Sequence, residues 1–159
     1  MHKKTLITTL IIILAFFNYA IYQKENQLTN GKTVILQLAP IDPRSIMQGD
    51  YMRLNYTLSL DVQHALKDTD MTQGFVVVKL NQQHIASFVR LDDKTMIKAN
   101  ELKLPFKIQK YNQISFGGNT FFFQEGSSKK YEKAKYGLFK LHDKTIILQS
   151  LLDDKLQTI

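Results

Sequence analysis

A proline-stiffened loop between Pro40 and Tyr51 holds the residue types in this chain that could do chemistry. It brings two carboxylates and one guanidinium close together in the sequence, at Asp42, Arg44 and Asp50. Such groups can bind a charged ligand, or act as a general base and an electrostatic stabiliser. They can equally hold the loop itself, because Asp and Gly favour turns and Arg44 can pair with either acid. Residue types alone leave both interpretations open.

A second candidate carboxylate, Glu125, follows three phenylalanines and precedes Gly126. This position indicates a strand end close to a helix start, where a carboxylate is favoured. Helix capping is therefore one interpretation of Glu125. The other places it in one cleft with the loop residues. The candidate binding residues are Asp42, Arg44, Asp50, Tyr51 and Glu125.

Metal and cofactor chemistry is not predicted. The three histidines outside the N-terminus, His64, His84 and His142, are far apart and belong to no close His/Asp cluster. No catalytic residue is assigned by any motif. The aromatic residues are predicted to be core residues and cross-strand pairs, and they include Phe106, Tyr111, Phe116 and Phe121 to Phe123.

The charge distribution argues against nucleic acid as a partner. The formal net charge is +7, and Lys3, Lys4 and Lys24, which flank an apolar segment, contribute to it. The other lysines are spread along the chain with acids between them, whereas nucleic-acid binding needs a basic stripe. The chain has no cysteine, so the compartment must be inferred from the apolar segment.

The apolar segment from Thr5 to Tyr22 contains no charged residue. At about 1.5 Å per residue it can cross most of a ~30 Å hydrocarbon core. The lysines before it, and the offset of Lys24 by Glu25, predict a cytoplasmic N-terminus. A cleaved signal peptide is the alternative, but no clear small-x-small cleavage site is present. We predict an uncleaved single-pass anchor in the cytoplasmic (inner) membrane, with the lipid bilayer as one partner.

The rest of the chain is predicted to be a mainly β domain on the extracytoplasmic side. Short strand-like runs between turn residues indicate an antiparallel sandwich or partly open barrel with one or two short helices. In the run from Tyr51 to Leu58, alternate residues beginning at Met52 form the predicted core face. The predicted boundaries are 1–4 for a cytoplasmic tail, 5–22 for the anchor, 23–32 for a linker and 33–159 for the domain.

The chain resembles the GDYXXLXY family of bacterial proteins. It has the family's residue at all five fixed motif positions, namely Gly49, Asp50, Tyr51, Leu54 and Tyr56. Segments that resemble the family's flanking sequence are Asp42-Pro43-Arg44, Phe122 to Gly126, Tyr131-Glu132 and Tyr136-Gly137. The resemblance implies a membrane-anchored protein that is in many cases encoded near polytopic membrane proteins. It implies no catalytic residue.

Location and resemblance together predict a non-enzymatic accessory module that acts with a polytopic membrane protein or an envelope component. The alternative is an extracytoplasmic hydrolase in which Asp50 or Glu125 is the general base and Arg44 stabilises charge. The hydrolase requires these side chains to converge on one cleft.

Overall fold

A computed structural model describes residues 2–40, 51–67 and 69–159. The chain divides into two compact units, residues 1–31 and residues 32–159.

The first unit is a single helix, α1, from His2 to Asn30. Its stretch from Lys3 to Asn30 has a mean hydropathy of 1.9 and is long and apolar enough to cross a membrane. Polar side chains within it are satisfied by the helix itself: Thr9 and Asn18 donate hydrogen bonds to backbone carbonyls four residues earlier. Such internal pairing suits a helix in lipid, where no water is available to satisfy a polar group.

Helix α1 continues beyond the predicted anchor. The polar segment that was predicted to be a linker is helical as far as Asn30. Gln23, Lys24 and Glu25 are straight-chain residues that lose little side-chain freedom in a helix, so a change from apolar to polar sequence does not end it. The helix ends at the Asn30-Gly31 pair, where the Gly31 N–H donates the last bond of the turn to the Gln27 carbonyl.

The second unit is built from nine strands, two short helices and one tight turn among the described residues. The strands are β1 Lys32–Gln37, β2 Tyr51–Arg53, β3 Gln73–Leu80, β4 Ala86–Leu91, β5 Glu101–Ile108, β6 Ile114–Ser115, β7 Thr120–Phe122, β8 Tyr136–His142 and β9 Thr145–Leu152. The helices are α2 Thr57–Ala65 and α3 Ser128–Tyr131, and the tight turn covers Lys110–Asn112.

The strands form three sheets, with orders β1-β8-β9, β2-β7 and β4-β3-β5-β6. Every pairing between these strands is antiparallel. The β3–β4 hairpin turns at Asn81, whose side-chain oxygen accepts the N–H groups of Gln83 and Ile85. The predicted fold class, mainly antiparallel β with short helices after an apolar N-terminal helix, is confirmed.

The core contains the predicted face of the motif segment. Met52, Leu54, Tyr56 and Leu58 are all buried, whereas Arg53 is exposed. The strand itself is shorter than predicted, because β2 ends at Arg53 and α2 begins at Thr57. Leu58 is nevertheless buried, because the first turns of α2 place it on the same helix face as buried Val62.

Candidate functional site

Four of the predicted site and motif residues, Asp42, Arg44, Gly49 and Asp50, lie outside the described residues. The predicted convergence of loop carboxylates with Glu125 therefore stays a prediction. The described members of the set are Tyr51, Leu54, Tyr56 and Glu125. They fall into two groups, one at the surface and one in the core.

At the surface, Tyr51 forms a cross-strand aromatic pair with Phe122. Strands β2 and β7 place the two residues directly opposite each other. Their ring centroids are 5.9 Å apart and the rings are tilted by 47°. Tyr51 is half-buried, while 75% of the Phe122 surface is exposed to solvent. The pair therefore presents a large apolar side chain whose position is fixed by backbone pairing.

The three consecutive phenylalanines at the end of β7 do not all face the same way. Phe121 and Phe123 both contact the Tyr131 ring, the first edge to face and the second tilted, with centroid distances of 5.1 and 5.4 Å, and both pack against the core. Phe122 must point the other way, because successive side chains of a strand alternate between faces. Two of the three residues are therefore structural, and the middle one is available for contact.

Glu125 lies in the turn that follows β7 and precedes α3. Its side chain is exposed, and it makes no hydrogen bond or ion pair with the described part of the chain. No side-chain hydrogen bond caps α3 at Ser127. Gly126, the next residue, has φ +80° with open space around it, so the turn uses a backbone conformation that glycine adopts without strain. No capping bond is observed for Glu125 among the described residues, and the cleft shared with the loop carboxylates stays a prediction.

The last two fixed residues of the motif are core residues. Leu54 is buried, and its N–H donates to the Asn119 carbonyl. The buried Tyr56 hydroxyl donates a 2.7 Å hydrogen bond to the Gly118 carbonyl. Burial raises the pKa of Tyr56 far above its ordinary value, because the charged phenolate would be cut off from water. These motif positions specify the fold.

The neighbours of Tyr56 explain two more features of the sequence. Its ring meets Phe116 and Phe139 edge to face, at centroid distances of 6.3 and 5.5 Å. A Cβ atom added at Gly137 would lie 3.4 Å from the Tyr56 ring and 3.0 Å from that of Phe139. Gly137, in one of the segments that resemble the family, therefore leaves room for aromatic packing.

A polar pocket of about 490 Å³ opens beside β2, where Arg53 is one of its lining residues. The polar and aromatic residues that line it include Arg53, Lys110, Tyr111, Gln113, Asn119 and Thr120. Sequence reasoning missed this pocket and was wrong about Tyr111, which was predicted to be a core residue or strand pair. Tyr111 is 99% exposed, because it lies in the β5–β6 turn. The signal that could have found it is the next residue, Asn112, because Asn is typical of turns.

A cluster of charges around the loop between β4 and β5 has a structural role. The Arg90 guanidinium bonds to Asp93 at 3.3 Å, to Glu101 at 3.4 Å and to the Thr95 hydroxyl at 2.7 Å. Hydrogen bonds from the Thr95 hydroxyl and N–H, opposed by partial desolvation and assisted by Arg90, hold the pKa of Asp93 at about 2. These groups satisfy one another and fix the loop after β4.

Within residues 2–40, 51–67 and 69–159, no group of three or more His, Asp or Glu side chains could hold a metal ion.

The chain was compared with known proteins. The model of the GDYXXLXY protein family matches residues 13–151, so the chain belongs to this family. The match confirms the resemblance that the motif residues indicated. Neither the curated proteins nor the solved structures gave a match.

Proposed function

We propose that this GDYXXLXY protein is a non-enzymatic accessory module. In this proposal α1 anchors it in a cytoplasmic membrane with the N-terminus inside. The β domain then lies on the outer side and recognises a polytopic membrane protein. The observation that carries the proposal is the Tyr51–Phe122 pair, an exposed aromatic surface directly after the family's Gly49-Asp50.

The charges around α1 support the orientation. Lys3 and Lys4 precede the apolar stretch, and Lys24, after it, is followed at once by Glu25. Cytoplasmic flanks of membrane helices carry an excess of Lys and Arg. A tethered domain is confined to a thin layer beside the membrane, which raises its effective concentration toward other membrane proteins. A partner surface of modest intrinsic affinity is then sufficient.

The aromatic pair has the properties of a protein contact site. Aromatic side chains are enriched among the residues that carry most of the binding energy at interfaces. Phe122 is held in place by β2–β7 pairing and by its contact with Tyr51. Little side-chain freedom is therefore lost when a partner covers it.

The hydrolase alternative has no support from the described residues. A general base acts within hydrogen-bond reach of its substrate's proton and is usually paired with a stabilising group in a cleft. Glu125 is exposed, and it is not among the residues that line the polar pocket beside β2.

The orientation can be tested with single cysteines, because the chain has none of its own. Met96 is 95% exposed in the β domain, and His2 lies before the apolar stretch. In intact cells whose outer layers admit the reagent, a membrane-impermeant maleimide should label Met96→Cys and should leave His2→Cys unlabelled until lysis. The reverse pattern would refute the proposed orientation.

The partner can be tested by purifying the tagged full chain from detergent-solubilised membranes. We expect one polytopic membrane protein to co-purify with the wild type and with Met96→Ser, which removes an exposed apolar side chain elsewhere. Phe122→Ser should reduce the recovery by about tenfold or more, as expected for a central aromatic contact. Asp50→Ala and Arg44→Ala test the predicted role of the loop in the same way. Equal recovery with Phe122→Ser and Met96→Ser would overturn the proposal.

A further inference from the structure

We propose that the polar pocket beside β2 binds an acidic saccharide, a hydroxyl-rich sugar chain that carries carboxylate or phosphate groups. This inference goes beyond the proposed function, because it concerns a different set of side chains and a ligand that is not a protein. It rests on three observations: two cations that pair with no described acid, an exposed aromatic residue on a hydrogen-bonded turn, and polar side chains that line the same pocket.

The pocket is cationic. Arg53 and Lys110 line it, and none of its described lining residues is acidic. Neither of these side chains forms an ion pair with a described residue, in contrast to Arg90 and Lys103, which are paired with acids. A guanidinium and an ammonium on the same pocket offer several donors to an anion, and hydrogen bonds between such charged partners are the stronger ones.

The aromatic ring belongs to Tyr111, in the turn between β5 and β6. Tyr111 and Asn112 have φ values of +61° and +59°. This left-handed conformation is tolerated by Asn but is unusual for a bulky residue such as Tyr. Backbone strain of this kind clusters at ligand-binding sites. In this turn the strained residue is Tyr111, which is almost fully exposed and is one of the residues that line the pocket.

The turn that carries Tyr111 is held by hydrogen bonds from both sides. The Gln109 N–H donates to the Gln113 carbonyl at 2.8 Å, which closes the turn. The Gln113 side-chain amide donates to the Asn55 side-chain oxygen at 2.9 Å. Gln63 of α2 donates to the Asn112 carbonyl at 3.4 Å. A preformed site of this kind spends little of its binding energy on ordering.

Polar side chains line the same pocket. Gln113 and Thr120 bring amide and hydroxyl groups that can donate to, or accept from, sugar hydroxyls, whereas the side-chain oxygen of Asn119 is buried. The Asn119 side-chain amide is oriented by a 3.0 Å bond to the Ile114 carbonyl. A sugar ring has an apolar face that suits an aromatic side chain and an edge of hydroxyls that suits amides. Its acid groups would pair with Arg53 and Lys110.

The combination of cations, an aromatic ring and amide groups distinguishes an acidic saccharide from other possible ligands. Inorganic phosphate would use the two cations but not Tyr111. A neutral sugar would use Tyr111 and the amides but not the cations. A single-stranded oligonucleotide would also use stacking and positive charge. The saccharide is preferred because the proposed function puts the domain outside the cytoplasmic membrane, and on this point the inference rests on that proposal.

The test is a titration of the full chain in detergent micelles, followed by calorimetry or NMR. The probe is tetragalacturonate, and the comparison ligands are maltotetraose, inorganic phosphate and a short oligothymidylate. We expect tetragalacturonate to bind about tenfold or more tightly than each comparison ligand. Similar affinity for maltotetraose, phosphate or oligothymidylate, or an absence of tetragalacturonate binding, would overturn the proposal.

Variants then locate the binding. Arg53→Gln, Lys110→Gln and Tyr111→Asn should each weaken tetragalacturonate binding by about tenfold. Asn at position 111 keeps a residue that accepts the left-handed backbone while it removes the ring. Lys129→Gln is the matched control, because it removes one positive charge from an exposed residue of α3. A loss with Lys129→Gln equal to that with Lys110→Gln would show general charge attraction and contradict the assigned site.

Discussion

The hydroxyl of Tyr56 donates a 2.7 Å hydrogen bond to the carbonyl of Gly118, which is 62 residues later in the chain. The bond joins the last fixed residue of the motif to the loop between β6 and β7. Leu54 joins the same loop, because its N–H donates to the Asn119 carbonyl. The second half of the motif therefore connects two parts of the β domain that are far apart in the sequence. These motif positions have a role in folding for this reason.

Replacement of Tyr56 by Phe should destabilise the β domain. It removes the hydroxyl and leaves the Gly118 carbonyl without that donor, and such a loss costs about 1–3 kcal/mol at a buried site. Thermal or denaturant unfolding of the full chain in micelles measures the effect. Tyr136→Phe is the control, since that hydroxyl bonds to no described residue. Equal stability of Tyr56→Phe and Tyr136→Phe would show that the hydrogen bond does not contribute.

Alkaline pH should destabilise the protein through the same residue. The unfolded chain releases the Tyr56 proton near pH 10.0, whereas burial raises the pKa of the folded form well above that value. Above pH 10 the unfolded state therefore binds fewer protons, and the free energy of unfolding falls by up to about 1.4 kcal/mol per pH unit from this group. Tyr56→Phe should show a shallower decline between pH 10 and 11 than wild type. Parallel curves for the two proteins would be inconsistent with a buried, protonated Tyr56.

Two glycines with positive φ should differ in their tolerance of alanine. Gly117 has φ +85°, and an added Cβ would collide with the Ile146 carbonyl oxygen. Gly126 has φ +80° with nothing near it. Gly126→Ala should cost about 1 kcal/mol of stability for the backbone conformation alone. Gly117→Ala should cost at least about twice as much, because β9 must also move. Unfolding curves that rank the two variants in the opposite order would contradict this assignment.

Replacement of Tyr111 by a residue that tolerates a positive φ should stabilise the β domain. Tyr111→Asn places a residue that tolerates φ near +60° at an exposed position, so we expect about 0.5–1 kcal/mol of added stability. Tyr111→Val should be less stable than wild type, because a β-branched residue is disfavoured there. A gain in stability together with a loss of saccharide binding would indicate that the strain serves a site. A loss of stability in Tyr111→Asn would indicate that the ring supports the fold.

The sequence predicted the fold better than it predicted the surface. Alternation identified the buried face from Met52 to Leu58 even though the strand ends at Arg53. The same side chains can be buried by one long strand or by a short strand followed by the start of a helix. The reason is that burial depends on the apolar area removed from water and not on one type of secondary structure. The length of α1 was not predicted, because hydropathy reports the apolar stretch and not where a helix ends.

The two largely exposed aromatic residues of the described β domain, Tyr111 and Phe122, were not identified from the sequence. Because Phe121, Phe122 and Phe123 are identical, they show no alternation of apolar and polar residues. The sequence therefore does not indicate which of the three faces solvent. Tyr111 was predicted to be a core residue or cross-strand pair because it is aromatic, and the β5–β6 turn contains no glycine that would mark it as a turn residue. The loop residues Asp42, Arg44 and Asp50 and their relation to Glu125 stay predictions.

The most direct measurement of the central claim is site-specific photocrosslinking in living cells. A photoreactive phenylalanine analogue placed at Phe122 should give one discrete adduct with a polytopic membrane protein, because this ring is exposed and fixed beside the motif. The same analogue at Leu60, an apolar residue of α2 that is 53% exposed, should give no such adduct. Identical adducts at both positions, or none at Phe122, would contradict recognition through the Tyr51–Phe122 surface.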